Sequence, residues 1–453
     1  MPRDRVPRRD RLLVSYCLFV PLTTTALYYV TGLNEFGQIG RVATVLVLLV
    51  LAVPWRRRLA RERLWSVFTF TLVLFGSWMV QPLVELFTGS PAAAFRGLRW
   101  ALYTAIWCAP VWILSVTIHT LDDLRRAVRL ADYLGVLVAG SVYVTAVAYS
   151  FGYRLGDVVE TGETGRIFGP LGDMVTFCLL LFLLRELARR QWARFAFYLV
   201  PFLLGRTRGA LLALAVGLAA YGVTQVAAAI RRARTGDLFL HVATCLVALA
   251  IVGAALAHTA LGRRALERFE TLPAFLDDHS LAGRLDGIWY SGQVFAAHPV
   301  LGVGPGGYQE VVLEQDLGWS HEDRPGAAAV RNRLALSTSV QNQLAHVATE
   351  SGLVGLATFL PWCVLLLRTG QRATAVADPR LRDFMVGGQL FLVAILLGTQ
   401  TATYLGDKSS IVFLVCVVAA LAERATRAPA AVRRRGSLPV AWRGARPPRW
   451  RHA

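Results

Sequence analysis

The sequence predicts an all-α polytopic membrane protein with about 12 transmembrane helices and one large extracytoplasmic loop. Composition is the first observation behind this class, since 55% of the 453 residues are hydrophobic and only 17% are charged. Soluble domains are about 45–50% apolar and about 25% charged. A soluble enzyme, a disordered chain and a disulfide scaffold are therefore excluded. The other two observations are the lengths of the apolar runs and the uneven distribution of basic residues.

The apolar runs give the predicted helices in order. They lie at residues 12–31, 40–55, 65–87, 100–118, 131–150, 167–184, 192–204, 209–230, 238–259, 352–367, 383–403 and 410–423. The two shortest runs, 192–204 and 410–423, need tilting or their flanks to cross a bilayer. The resulting segments are a basic N-terminal tail, nine helices, a large loop, three helices and a basic C-terminal tail, at 1–11, 12–259, 260–351, 352–423 and 424–453.

Basic residues set the predicted orientation. The net charge is +19, and Lys408 is the single Lys among 48 basic residues. With the N-terminus in the cytoplasm, the inner segments hold 33 basic residues and the outer segments hold 14. This asymmetry follows the positive-inside rule and places both termini on the cytoplasmic side of a bacterial plasma membrane. An anionic inner leaflet accounts for the arginine-rich C-terminal tail, so no nucleic-acid partner is predicted.

One outer connection, about 85 residues at 262–346, differs from a linker. It is rich in aromatic residues and carries both signs of charge. The segment 284–298 has a helical period, which Pro299 and the run Gly302–Gly307 then break. A second helical pattern begins near Val340 and leads into the tenth helix. A folded cap without chemistry is one interpretation, but long ordered loops more often carry function.

Four arginines on the predicted outer face are candidate ligands for a phosphate group: Arg166, Arg206, Arg208 and Arg284. The planar guanidinium group donates two parallel hydrogen bonds and stays charged, which suits phosphate. Converging arginines would form a clamp for a lipid diphosphate. The alternative is that each one reaches lipid headgroups or pairs with an acid such as Asp173 or Asp286.

Other candidate chemistry is sparse. His298, His321 and His346 are possible general bases, although a lone histidine is more often simply hydrogen-bonded. The run Gly302–Gly307 either forms a turn, which is favoured, or offers backbone N–H groups to an anion. No metal-ligand spacing and no serine nucleophile elbow is found, and all six cysteines fall within predicted helices. No cofactor is predicted.

Four stretches resemble motifs of the O-antigen ligase and Wzy-type polymerase family: Arg166–Asp173, Arg206–Leu212, Ala297–Gly306 and Gln341–Gly355. They are similar to its Arg-x-x-Gly, Ser-x-Ser-Arg-Gly, His-Pro-hydrophobic-Gly-x-Gly and His-Asn…Gly-x-x-Gly elements, in that order. The resemblance implies a glycosyltransferase-C-like fold. It also implies transfer of a glycan from undecaprenyl diphosphate to an acceptor hydroxyl at the outer membrane face, without a metal or nucleotide sugar.

The resemblance also assigns roles to residues. Arg166, Arg208 and Arg284 would bind the diphosphate, with Arg206 in the same turn as Arg208. Gln341 stands where the ligase branch has a histidine taken as catalytic. Glutamine orients a hydroxyl group but cannot take its proton at neutral pH.

Two interpretations of that departure stay open. Either His321 or Glu350 takes the proton, or the chain is not a ligase of that branch. His346 is five residues beyond Gln341, a helical rotation of about 140°, and is expected to face elsewhere.

The leading hypothesis is a membrane glycosyltransferase, with polymerase preferred to ligase. Its partners would be the lipid-linked glycan donor, a glycan or lipid acceptor and membrane lipids. The alternatives are a transporter of glycan or lipid-linked precursor, with Glu85 and Asp132 as coupling acids, and a non-catalytic envelope assembly protein.

Overall fold

A computed structural model describes residues 66–88, 90–153, 157–161, 164–169, 174–205, 207–232, 279–308, 310–311, 342–376, 378–398 and 409–436, with isolated positions between 243 and 258. In chain order the elements are α1 (Val67–Thr88), α2 (Pro91–Thr117), α3 (Leu121–Ser150), β1 (Asp157–Thr161), β2 (Thr164–Gly169), α4 (Met174–Arg189), α5 (Trp192–Leu204), α6 (Arg208–Arg232), α7 (His279–Ala297), α8 (Gln343–Ala373), α9 (Pro379–Gly398) and α10 (Ser409–Gly436).

Helices occupy the described parts of the predicted apolar runs, except at the start of the run 167–184. The short run predicted at 192–204 is α5 itself, Trp192–Leu204. By length and composition, four described helical segments are able to cross a membrane: Val67–Thr88, Leu121–Ser150, Gly209–Ala227 and Gln343–Ala373. The predicted runs 12–31 and 40–55 lie outside the described residues, as does most of 238–259. The chain is thus a helical membrane protein, whereas the count of 12 spans and the segment boundaries stay predictions.

A short β-hairpin is added to the predicted all-α architecture. Strand β1 pairs antiparallel with β2, with Val159 opposite Arg166 and Glu160 opposite Gly165. β-Branched residues favour the extended backbone, and both strands contain them. The hairpin runs to Gly169, so α4 begins at Met174 and not at the predicted residue 167.

Local sequence signals explain where two of the helices begin. Pro91 begins α2, where its missing N–H and fixed φ are tolerated. At the start of α3, Thr120 Oγ1 accepts from the backbone N–H of Asp123 at 3.1 Å. The Asp123 carboxylate accepts from the backbone N–H of Thr120 at 3.1 Å. This capping box satisfies two groups that a helix start would otherwise leave unpaired.

The core lies around α4 and α10. Apolar side chains are buried on every side of these two helices, from Val175 to Leu184 and from Ile411 to Ala422. A helix that is apolar and buried all round belongs to the centre of a bundle. The outer helices instead expose large apolar side chains, such as Leu86 and Phe87 on α1. Such surfaces match a lipid environment.

Polar contacts fix α8 against α1. The Trp362 indole N–H donates to Thr71 Oγ1 at 3.0 Å, and the hydroxyl groups of Ser77 and Thr358 are 2.9 Å apart. Hydrogen bonds of this kind hold helices together where lipid tails give no hydrophobic driving force. These contacts fix the position of α8 along α1, and with it the position of the candidate site.

Candidate functional site

The candidate site forms at a break in α8. Gly352 has φ 61° and ψ −154°, although the residues on either side are helical. Only glycine adopts this backbone conformation readily. In a continuous helix the N–H groups of Leu353 and Val354 would donate to the carbonyls of Thr349 and Glu350, four residues back. The break leaves these four groups without helical partners.

The turn that follows α7 supplies the missing partners. The N–H groups of Val303 and Gly304 donate to the Thr349 and Glu350 carbonyls, both at 3.0 Å. On the other side of the break, the N–H groups of Leu353 and Val354 donate to the carbonyls of residues 299 and 300, at 2.8 and 3.2 Å. Residues 298–307, the glycine turn hereafter, thus dock into the break and satisfy these four groups.

Glycines make this docking possible because the two backbones almost touch. A Cβ on Gly302 would lie 2.4 Å from the carbonyl carbon of Glu350, and a Cβ on Gly352 would lie 2.3 Å from the Val300 carbonyl oxygen. A Cβ on Gly306 would lie 2.3 Å from Cδ1 of the Trp100 indole ring. Two of the four stretches identified in the sequence, Ala297–Gly306 and Gln341–Gly355, are therefore halves of one structure.

The glycine turn uses its own N–H groups internally. Gly302 donates to the His298 carbonyl at 3.1 Å, and Gly307 donates to the Gly304 carbonyl at 3.0 Å. The N–H of Gly306 donates to the Glu350 carboxylate. With Val303 and Gly304 bonded to α8 and residue 305 a proline, no N–H in Gly302–Gly307 is left for an anion. The favoured prediction, a Gly/Pro turn, is confirmed, and the anion-binding alternative is wrong in this conformation.

Glu350 is the centre of the docked structure. Its side chain is 2% exposed, and its Oε2 lies 3.4 Å from Nε2 of His346, which is also buried. The His346 ring packs on the Trp78 ring, with centroids 5.8 Å apart. A carboxylate beside an imidazole is able to share a proton with it or to fix its tautomer. In this conformation Glu350 holds the turn through both its carbonyl and its carboxylate.

An ion pair ties the turn to the rest of the bundle. Arg96, on the first turns of α2, pairs with Glu310 just beyond the glycine turn. The carboxylate of Glu85, near the end of α1, accepts from Gln81 Nε2 at 3.4 Å and lies beside Gly304. The ends of α1, α2 and α7 and the break in α8 thus meet at one end of the bundle.

Asn342 caps α8, ten residues before the break at Gly352. Its Oδ1 accepts from the backbone N–H of Ala345 at 3.0 Å, which satisfies one open group at the helix start. The asparagine of the Gln341–Gly355 stretch therefore has a structural role. Sequence reasoning missed this role and that of Arg96, although an Asn before an apolar helical run is a recognised start signal.

The structure describes only some of the predicted site residues. Arg166 lies in β2, Arg208 is the first residue of α6, and Arg284 lies in α7, but their side chains are outside the described part. Arg206, His321 and Gln341 are outside it altogether. Convergence of the arginines into a clamp therefore stays a prediction. Among the predicted bases, Glu350 is described and buried, whereas His298 is exposed on the glycine turn.

The fold and this site define a helical membrane protein in which a glycine turn fills a broken helix. A family model described as O-Antigen ligase matches residues 193–360, from α5 to the middle of α8. The match includes Arg206, Arg208, Arg284, the glycine turn and the break at Gly352, while Arg166 precedes it. The resemblance inferred from the motifs is confirmed over this range. A comparison with curated proteins finds no match.

Proposed function

We propose that this protein transfers a glycan from an undecaprenyl-diphosphate-linked donor to an acceptor hydroxyl at the outer face of the bacterial plasma membrane. The observation that carries the proposal is the docking of the Ala297–Gly306 turn into the Gly352 break, within the range matched by the O-antigen ligase family. Both termini would lie in the cytoplasm. Polymerase activity is preferred to ligase activity because Gln341 replaces the histidine of the ligase branch.

The proposed reaction is a displacement at the anomeric carbon of the donor sugar. The acceptor oxygen forms the new bond, the bond from the sugar to the diphosphate breaks, and the diphosphate leaves with the electron pair. Arg166, Arg206, Arg208 and Arg284 would stabilise the charge that develops on this leaving group. Gln341 would orient the acceptor, since its amide forms hydrogen bonds but does not take a proton at neutral pH.

The acceptor proton needs a separate base. Glu350 is enclosed, and its carboxylate already holds the Gly306 N–H, which favours a positioning role for this residue. His321, in the outer loop, is then the proposed base. An imidazole group is able to take a proton and give it back near neutral pH.

Membranes containing the full chain and a purified lipid-linked oligosaccharide provide the test. A polymerase converts the donor into a ladder of longer lipid-linked products and releases undecaprenyl diphosphate, whereas a ligase adds one block to a different acceptor. If the membranes contain intact protein and neither assay releases undecaprenyl diphosphate, the proposal is contradicted. Uptake of the lipid-linked donor by proteoliposomes without any product would favour the transporter instead.

A further inference from the structure

A second charged region lies at the opposite end of the bundle. Helix α2 has 27 residues and begins near the Arg96–Glu310 pair. At 1.5 Å per residue the far end of α2 is roughly 30 Å from Arg96. There, α3 begins after the Thr120 cap, and residues of α3, α4, α5 and α9 surround a cavity of about 850 Å³.

Arginines dominate the lining of this cavity. Five line it, against three aspartates: Arg125, Arg129, Arg189, Arg194 and Arg380, with Asp132, Asp378 and Asp383. A cavity lined mainly by one sign of charge attracts a ligand of the opposite sign.

Each aspartate of the lining is already engaged. Asp378 accepts from Arg125 Nε at 2.7 Å, and Asp383 lies 3.7 Å from Arg189 Nε. Asp132 pairs with the buried Arg185, which also donates to Glu186 at 2.9 Å. The arginine partners of these aspartates are Arg125, Arg185 and Arg189, and not the other arginines of the lining.

Three arginines are left over. Arg129, Arg194 and Arg380 have exposed side chains, and none of them forms an ion pair with another described residue. They come from three different helices, α3, α5 and α9, so they surround the cavity and do not form a single stripe. Guanidinium groups arranged in this way match the oxygens of a phosphate group.

An apolar strip leads away from the cavity along α3. Tyr133, Leu137 and Val144 follow Arg129 at helical spacing on one face, and they are 65%, 60% and 61% exposed. A free phosphate ion has no apolar part that would contact this strip. A phospholipid has one, because its acyl chains would lie on the strip while its phosphate reaches the arginines.

We propose that this arginine cavity binds the phosphate of an anionic membrane phospholipid, with the acyl chains along the exposed face of α3. A zwitterionic lipid is disfavoured because its own cation would lie among unpaired arginines. Basic cavities between helices are suited to anionic headgroups on the cytoplasmic side. This inference is independent of the proposed glycan transfer.

The test is a binding titration of the full-length protein in neutral detergent, followed by microscale thermophoresis. The probes are dihexanoyl phosphatidylglycerol, dihexanoyl phosphatidylcholine and inorganic phosphate. We expect saturable binding of phosphatidylglycerol, at least tenfold tighter than either other probe. In the double variant Arg129→Gln, Arg194→Gln the affinity for phosphatidylglycerol should fall at least tenfold.

Arg372→Gln is the matched control, because Arg372 is an exposed arginine at the same end of the bundle that does not line the cavity. It should bind phosphatidylglycerol like the unmodified protein. Equal binding of both lipids, or unchanged binding by the double variant, would overturn the proposal. Phosphate that binds as tightly as phosphatidylglycerol would identify a soluble anion as the ligand and make the lipid assignment wrong.

Discussion

Gly302 and Glu350 are in such close contact that a Cβ on Gly302 would lie 2.4 Å from the Glu350 carbonyl carbon. The two residues are 48 positions apart in the chain, yet their backbones pack without any side chain between them. Real Cβ atoms do not approach backbone this closely, and Gly302 also has a φ of 69°. The contact leaves no room for a side chain between the glycine turn and α8.

Gly302→Ala should therefore release the turn. Alanine at positive φ costs about 1–2 kcal/mol, and the backbone clash adds to this. We expect faster proteolysis of residues 298–311 and a lower thermal unfolding midpoint in detergent. Gly292→Ala in α7 is the control, because a Cβ there meets nothing within 4 Å. Equal protease sensitivity of both variants would contradict the docking.

Gly352→Ala should convert α8 into a continuous helix. The N–H groups of Leu353 and Val354 would then bond to the Thr349 and Glu350 carbonyls, and the turn would lose its partners. Hydrogen exchange followed by mass spectrometry should show faster exchange at Val303 and Gly304, while Leu353 and Val354 stay protected. Unchanged protection of the turn would show that the break does not depend on glycine.

Arg208→Ala should abolish glycan transfer, and Arg208→Lys should restore little of it. Lysine keeps the charge but cannot form the two-pronged contact with a phosphate. The measurement is release of undecaprenyl diphosphate by equal amounts of membrane-inserted protein. Arg99→Ala, at an exposed arginine of α2, is the matched control and should retain activity. Near wild-type turnover of Arg208→Ala would remove this arginine from the proposed clamp.

Substitutions of Gln341 and Glu350 should separate orientation from proton transfer. Gln341→Ala is expected to slow transfer by up to about 10²-fold, the lower end for loss of a general base, without changing the pH profile. Glu350→Gln keeps an acceptor for the Gly306 N–H and should retain most activity, whereas His321→Ala should not. Loss of activity with an altered pH profile in Glu350→Gln would make Glu350 the base.

The predicted orientation is tested by labelling intact cells with an impermeant thiol reagent. Cysteine in place of Glu314, within the outer loop, should be labelled, and cysteine in place of Ser437, in the C-terminal tail, should not. The unmodified chain controls for its own six cysteines. The opposite labelling pattern would reverse the topology and place the candidate site on the cytoplasmic side.

Local pattern predicted much of the fold. Apolar runs located the described helices other than α7, which the helical period at 284–298 indicated, and the shortest run coincides with α5 at Trp192–Leu204. The sequence pattern also indicates both glycine-containing stretches, but not their contact. These features were predictable because hydropathy depends on neighbours in the chain, and because Gly and Pro act on their own backbone.

The sequence alone therefore determined a membrane class, the apolar helices and the motif residues. Only the tertiary structure decided that the glycine turn fills the break at Gly352. It also decided that Glu350 Oε2 lies 3.4 Å from His346 Nε2, and that the hairpin of β1 and β2 precedes α4. The physical reason is the distance along the chain between the residues that make contact. A broken helix leaves four backbone groups open, and which distant segment satisfies them depends on packing across tens of residues, which no local period records.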